Sequence, residues 1–169
     1  NYTAHLNSGI KGVTIGIPTY FLKGLDPDIE KLFQHAIRTL TSLGADVREI
    51  EIPGLAMSTF AGYVIMTGEA SAATHDMLQT QPEDFPLDAR GLLLAGSLTN
   101  TPQYIRAQQA RRKLVDAFKP TFEQVDVIVG PTIPIATPAY RDNWVDQNLE
   151  VIRDCMPFTA PANLTGTPS

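Results

Sequence analysis

The sequence predicts an α/β protein, and three observations carry that reading. The first 52 residues hold a strand, an amphipathic helix and a second strand joined by short connections. Helical segments separated by proline-marked loops fill the middle of the chain. A β-branched run at 125–129 has the near-continuous apolarity of a strand buried on both faces. A strand–helix–strand crossover almost always winds right-handed with parallel strands, so the first two strands are expected side by side and parallel.

Each element has its own local signal. Val13, Ile15 and Ile17 alternate up to Pro18 as a short strand should. Asp26-Pro27 offers a helix N-cap followed by proline at the first helical position. Ile29, Leu32, Phe33, Ala36, Ile37, Leu40 and Leu43 then form one apolar stripe, and Gly44 stands where a C-cap belongs. A strand over 47–52 follows and ends at Pro53. Residues 55–80, rich in Ala, Met and Leu, predict one helix despite Gly62 and Gly68, and 81–86 a loop. Residues 87–98 predict a shorter helix carrying Leu92, Leu93 and Leu94. Thr101-Pro102 opens another, with Ala107, Ala110, Leu114, Ala117 and Phe118 as its stripe and Pro120 as its stop. Six of the 13 prolines fall between Pro131 and Pro168, so 131–169 is expected to be irregular. Its Ile133, Ile135, Trp144, Val151, Ile152, Met156 and Phe158 still require burial, which predicts an irregular segment packed over the carboxyl edge of the sheet, where ligands of open α/β sheets bind.

Composition narrows the function classes. Hydrophobic residues make up 43% and charged residues 18% of the 169, enough for a packed core. Thirteen Lys and Arg stand against 18 Asp and Glu, a net charge of −5, so no basic surplus exists to displace counterions from nucleic acid. The one tight basic cluster, Arg111-Arg112-Lys113, reads as an exposed helix face. A single cysteine, Cys155, excludes an internal disulfide and a thiolate metal cage. No apolar run reaches the ~18–20 residues that span a bilayer, and the start has no secretion-signal pattern. The expected setting is the cytoplasm, with neither membrane nor nucleic acid as partner. The chain begins at Asn1 without an initiator methionine, which predicts a piece of something longer.

Motif chemistry is sparse. His5, His35 and His75 are isolated, none with a second ligand at metal spacing, and His35 lies off the apolar stripe of its helix. Cys155 has only Arg153 as a basic neighbour and no helix N-terminus to activate it, so it reads as a structural cysteine. Glu83, Asp84 and Asp88 read as a solvated helix start. Ser71 and His75 fall four apart on one predicted helix, without a glycine-rich turn beside them to supply oxyanion donors. No G-x-S-x-G, H-E-x-x-H, phosphate-binding loop or G-x-G-x-x-G is present.

Read in order, several stretches resemble the C-terminal half of the amidase signature family. Ile10-Lys11-Gly12-Val13-Thr14-Ile15-Gly16-Ile17-Pro18 is similar to the strand "v-K-G-l-r-I-G-v-P", and Thr41-Ser42-Leu43-Gly44-Ala45-Asp46-Val47 to the helix exit "l-x-x-l-G-a-x-V". Gly68-Glu69-Ala70-Ser71-Ala72-Ala73-Thr74-His75 resembles "x-E-A-x-a-x-x-H". Gln103-Tyr104-Ile105-Arg106-Ala107-Gln108-Gln109-Ala110-Arg111 resembles "d-Y-l-x-A-q-x-x-R", with Gln103 where aspartate is usual. Val125-Asp126-Val127-Ile128-Val129-Gly130-Pro131-Thr132-Ile133-Pro134 matches "y-D-v-l-l-x-P-T-x-P". The closing Pro161-Ala162-Asn163-Leu164-Thr165-Gly166-Thr167-Pro168-Ser169 is similar to "P-f-N-l-t-G-x-P-a".

The resemblance implies an amidase-signature fold, of which residues 1–169 are the C-terminal portion of a single domain: part of a mixed β-sheet covered by helices on both faces. It implies hydrolysis of carboxylic amides by a Ser–Ser–Lys triad with backbone N–H donors for the oxyanion. That machinery belongs to the family's N-terminal half, and no Gly/Ser-rich stretch of its kind exists here, so the triad is expected upstream of Asn1 and no catalytic residue within the chain. Thr132 and Asp154 are the expected substrate-binding residues. The implied partners are a small-molecule amide and the N-terminal half of the enzyme, with a homodimer left open and no cofactor or metal.

Two branches of the family compete: free amidases, and the glutaminase component (the A-subunit) of the tRNA-dependent amidotransferase. The latter is expected to hold glutamine with an arginine four before the glycine of its "R-x-x-x-G" helix and an aspartate ahead of "T-x-P-x-N". Here Leu92 and Met156 stand in those registers, with Arg90 and Asp154 each two residues away, which disfavours the amidotransferase. A reading from another class, a non-catalytic α/β binding module, stays open on the residues alone.

Overall fold

The computed structural model of the chain describes residues 3–4, 7–142 and 144–169; His5 lies outside them. Three strands form its sheet: β1 (Thr14–Pro18), β2 (Asp46–Ile50) and β3 (Val127–Ile128). Their order is β2-β1-β3 and all pairs are parallel, with Ile15 opposite both Val47 and Val127. The expected crossover is therefore present, built around helix α1 (Pro27–Ser42). The Asp26 carboxylate caps α1 by accepting from the Asp28 N–H at 2.9 Å. At the other end Gly44 N–H donates to Thr41 O and Ala45 N–H to Leu40 O, the paired bonds of a Schellman stop.

Only Phe33 of α1 is fully buried; Leu32 and Leu43 are 65% and 59% exposed, whereas the stripe was expected to be core. A sheet of three short strands is too narrow to cover a 16-residue helix. On β1, a Cβ at Gly16 would meet Ile50, which packs against the main core, and the buried Val125. Side chains alternate along a strand, so the buried Ile15 and Ile17 point the other way, to the side taken by the crossover. Helices thus cover both faces. The short β3 is held in register by Asp126, whose carboxylate accepts from Thr14 N–H at 2.8 Å while its own N–H donates to Thr14 O at 2.9 Å.

The other face carries α2 (Ser58–Ala73), α3 (His75–Thr80), α4 (Leu87–Ser97), α5 (Thr101–Phe122) and α6 (Trp144–Thr165). The core joins Phe21 and Ile52 at the strand ends to Leu55, Ala61, Val64, Ile65, Ala107, Leu114, Phe118 and Leu164. Four details differ from expectation. The single helix over 55–80 is a short 3₁₀ turn followed by α2 and α3, separated at Thr74. The cap of α5 is Asn100, not Thr101, in a reciprocal capping box with Gln103. Helix α5 runs past Pro120 to Phe122, because a proline this near the end removes one hydrogen bond and breaks nothing beyond it.

The fourth difference is the largest. Residues 131–142 are irregular as expected, but 144–165 form a 22-residue helix that contains Pro157 and Pro161. Each proline leaves the carbonyl four residues earlier without its backbone donor. Those carbonyls belong to Arg153 and Pro157; further along, Thr165 Oγ1 donates back to Pro161 O at 2.8 Å and Asn163 Nδ2 to Thr159 O at 2.9 Å, side-chain bonds added within the last turns of the helix.

Gly96 decides how closely α4 approaches α2. A Cβ there would lie 2.1 Å from the backbone oxygen of Thr67, an atom that cannot move without its helix. Gly91, on the same helix, has open space around it. We therefore expect Gly96→Ala to destabilise the fold by about 2 kcal/mol or more, and Gly91→Ala to stabilise it by about 0.5–1 kcal/mol. Urea denaturation of the two variants checks this, and equal midpoints would refute the packing argument.

Candidate functional site

At the carboxyl edge of the sheet, β1 runs into a 3₁₀ turn over Thr19–Leu22, and β3 leads through Gly130 and Pro131 to Thr132. Gly130 lets Phe21 approach the backbone; a Cβ would stand 2.9 Å from its ring. Phe21 in turn stacks on Phe158 of α6 with ring centroids 5.6 Å apart. Asp26 N–H donates to Pro134 O at 2.8 Å, tying the segment after β3 to the start of α1.

Three of the clefts bordering α6 bear on the residues singled out by sequence. The first, about 500 Å³, has Thr132 on its wall with Phe21, Phe118, Phe158 and Asn163. The second, about 460 Å³, has Asp154 on its wall with Tyr20, Lys23, Arg153 and Phe158. Thr132 and Asp154 thus both lie near the sheet edge but in separate clefts, with Phe158 shared between them. Asp154 is engaged: Arg153 Nε and Nη2 donate to its two oxygens at 2.8 and 3.2 Å. These bonds hold its carboxyl below the usual carboxylate range, so the pair is charged throughout neutral pH.

The third cleft, also about 460 Å³, lies between α2, α4 and α6 and was not anticipated. Phe60 and Tyr63 of α2, Leu92 of α4, and Leu149, Ile152 and Met156 of α6 wall it. Leu92 and Met156, the two residues in the amidotransferase registers, thus line one cavity. The spacing of Leu149, Ile152 and Met156 was the available signal, hidden by the expectation of irregular chain.

Other candidates take structural places. Arg90 is half-buried; its Nη2 donates to Phe85 O at 3.1 Å, and its buried Nε has no partner among the described residues. Asp88, read as solvated, is half-buried and accepts from Asn148 Nδ2, linking α4 to α6. Ser71 is buried while His75 is exposed on a different helix, so they make no pair. His35 is exposed. Among the described residues no group of three His, Cys, Asp or Glu could hold a metal ion, and no helix is long and apolar enough to cross a membrane.

The residues that carried the family resemblance turn out to bind elements together. Tyr104 of α5 donates to Glu69 of α2 at 2.7 Å and accepts from Gln108 at 2.9 Å. The Glu69 bond raises the Tyr104 phenol above its ordinary value. Arg111 Nε donates to Leu164 O at 2.8 Å, near the end of α6.

A parallel sheet with helices on both faces and ligand-sized clefts around its carboxyl edge defines an α/β unit of the open-sheet class. The chain belongs to the amidase family: the family model "Amidase" matches residues 1–169. It is 34% identical over 176 residues to an amidase of Pseudomonas putida, covering 100% of this chain and 37% of that protein. It is 31% identical to the glutamyl-tRNA(Gln) amidotransferase A-subunit of Geobacter sp. (strain M21), covering 99% and 39%. The fold matches the crystal structure of the corresponding amidotransferase protein from Thermotoga maritima with a TM-score of 0.74 at 24% identity, over 96% of this chain and 35% of that one. The chain therefore spans under half the length of these relatives.

Cys155 is half-buried on α6, not fully buried as a structural cysteine would be. Burial pushes its thiol up, and the Asp154 carboxylate adds to the shift. A raised pKa means less thiolate at neutral pH. Alkylation of Cys155 by iodoacetamide at pH 7.5 should be slower than that of glutathione and should rise steeply only in alkaline solution. Labelling as fast as that of the free thiol would contradict this environment.

Proposed function

We propose that this chain is the C-terminal portion of an amidase-signature enzyme that cleaves carboxylic amides to an acid and ammonia or an amine. The observation that carries the reading is the match of the family model to residues 1–169, together with a fold that follows the family's over 96% of the chain. Amide hydrolysis needs an activated nucleophile, a proton relay to the leaving amine and donors aimed at the oxyanion. In this reading the Ser–Ser–Lys triad supplies them from upstream of Asn1, and the N-terminal half of the enzyme is the partner on which catalysis depends. This chain contributes walls of the substrate site, and the substrate is a small amide.

The amidotransferase remains the second reading, supported by the 31% identity to its A-subunit. The apolar pair Leu92 and Met156 favours a free amidase, because neither side chain can hold the charged ends of glutamine.

The 169-residue chain alone should hydrolyse no amide and take up no serine-directed fluorophosphonate probe, whereas the full-length protein should do both. Stoichiometric labelling of a serine in the isolated chain, with turnover of an aryl amide, would place catalysis here instead.

Thr132 and Asp154 serve in this reading as substrate-selecting residues of neighbouring clefts. In the full-length protein, Thr132→Val and Asp154→Ala should change the ratio of kcat/KM among amides differing in acyl or amine group, by about three- to tenfold. Unchanged ratios in both variants would assign the two residues to holding the loop and the Arg153 pair.

A further inference from the structure

We infer that the cleft between α2, α4 and α6 is a recognition pocket for an uncharged apolar group of the substrate, an aryl ring or a branched alkyl chain. This deepens the amide-hydrolase reading and rests on it.

The walls make the case first. Phe60, Tyr63, Leu92, Leu149, Ile152 and Met156 come from three helices far apart in sequence and converge on about 460 Å³. Volumes of roughly 300–1,000 Å³ lined mainly by apolar and aromatic side chains are typical of small-molecule sites. Phe60 and Leu149 are 51% and 47% exposed, so the cleft keeps apolar surface in contact with solvent, where a matching apolar group would cover it.

Charge decides the ligand class. Arg153 is the one charged residue among the described lining residues, and its guanidinium is taken by Asp154, which faces the neighbouring cleft. A carboxylate or ammonium entering here meets no unpaired counter-charge and loses its water. Thr59 and Tyr63 supply the hydroxyls of the lining, enough to orient a neutral amide without binding an ion.

Packing limits the size of that group. At Gly62 of α2, a Cβ would stand 3.0 Å from Ala160 and 3.3 Å from Met156, so the two helices touch on that side. A compact substituent suits a cleft bounded in this way better than an extended peptide or a helix.

The test uses full-length protein and three substrates: acetanilide, acetamide and glutamine. Phe60→Ala and Leu149→Ala alter partly exposed positions, so the fold should hold. Each should lower kcat/KM for acetanilide relative to acetamide about tenfold, and weaken equilibrium binding of acetanilide by a similar factor. Met156→Asp should do the same more strongly. An acetanilide-to-acetamide ratio and an acetanilide affinity both unchanged in Phe60→Ala and Leu149→Ala would overturn the inference. Loss of stability in those variants with ligand binding intact would also overturn it, marking the cleft as a surface covered by protein. A full-length protein that hydrolyses none of the three but binds acetanilide through Phe60 and Leu149 would sink the amide-hydrolase reading and leave the pocket standing.

Discussion

The helical side of the molecule depends on burying α2. This helix is apolar around most of its circumference, and Ser58, Ala61, Gly62, Val64, Ile65, Thr67 and Ser71 are all buried. An amphipathic helix needs one neighbour, whereas a helix of this kind needs several. Helices α4, α5 and α6 surround it, each through a different stripe. Their approach distances are set by residues without bulk: Gly96 of α4 against the Thr67 carbonyl, and Gly62 of α2 against Ala160 of α6. The α2–α4–α6 cleft follows from this arrangement. It opens beyond the Gly62 contact, where larger side chains, Phe60 and Tyr63 on one helix and Leu149 and Ile152 on another, replace the small ones.

Polar ties fix the orientation of the same elements. Glu69, Tyr104 and Gln108 join α2 to α5, Arg111 joins α5 to a carbonyl near the end of α6, and Asp126 fastens β3 to β1. All five stand at letters that the family pattern specifies, and none of them needs to touch a substrate to matter. A sequence pattern can therefore be specific for a fold while its residues serve assembly, and the chemistry must be sought in the cavities that assembly leaves.

The fold was legible where the signals were local. The β1–α1–β2 crossover could be read from the alternation at Val13, Ile15 and Ile17, the Asp26 cap and the Gly44 stop, because each acts within a few residues. Helix α6 could not be read in the same way. Its Pro157 and Pro161 argue against a helix, and what holds the segment helical is the packing of its Ala160, Pro161 and Leu164 in the interior, which no local sequence pattern displays. The exposure of Leu32 and Leu43 was equally hidden, since a stripe predicts a buried face without stating how wide the covering sheet is. At the candidate site, Thr132 and Asp154 line clefts near the sheet edge. That they line different clefts depends on the position of Phe158, and the third cleft depends on three helices meeting, a fact of tertiary structure alone.

Helix α6 explains how these clefts are related. Phe158 and Asp154 on one side serve the sheet-edge clefts, while Met156, Ile152 and Leu149 serve the cleft shared with α2 and α4. Arg153 borders both sides, and its pairing with Asp154 keeps these two charges directed at each other. One helix thus divides a polar side, with Lys23, Arg153 and Asp154, from an apolar one. A shift of α6 along its axis would change both sides together, because Asp154, Met156 and Phe158 lie within about one turn of the same helix.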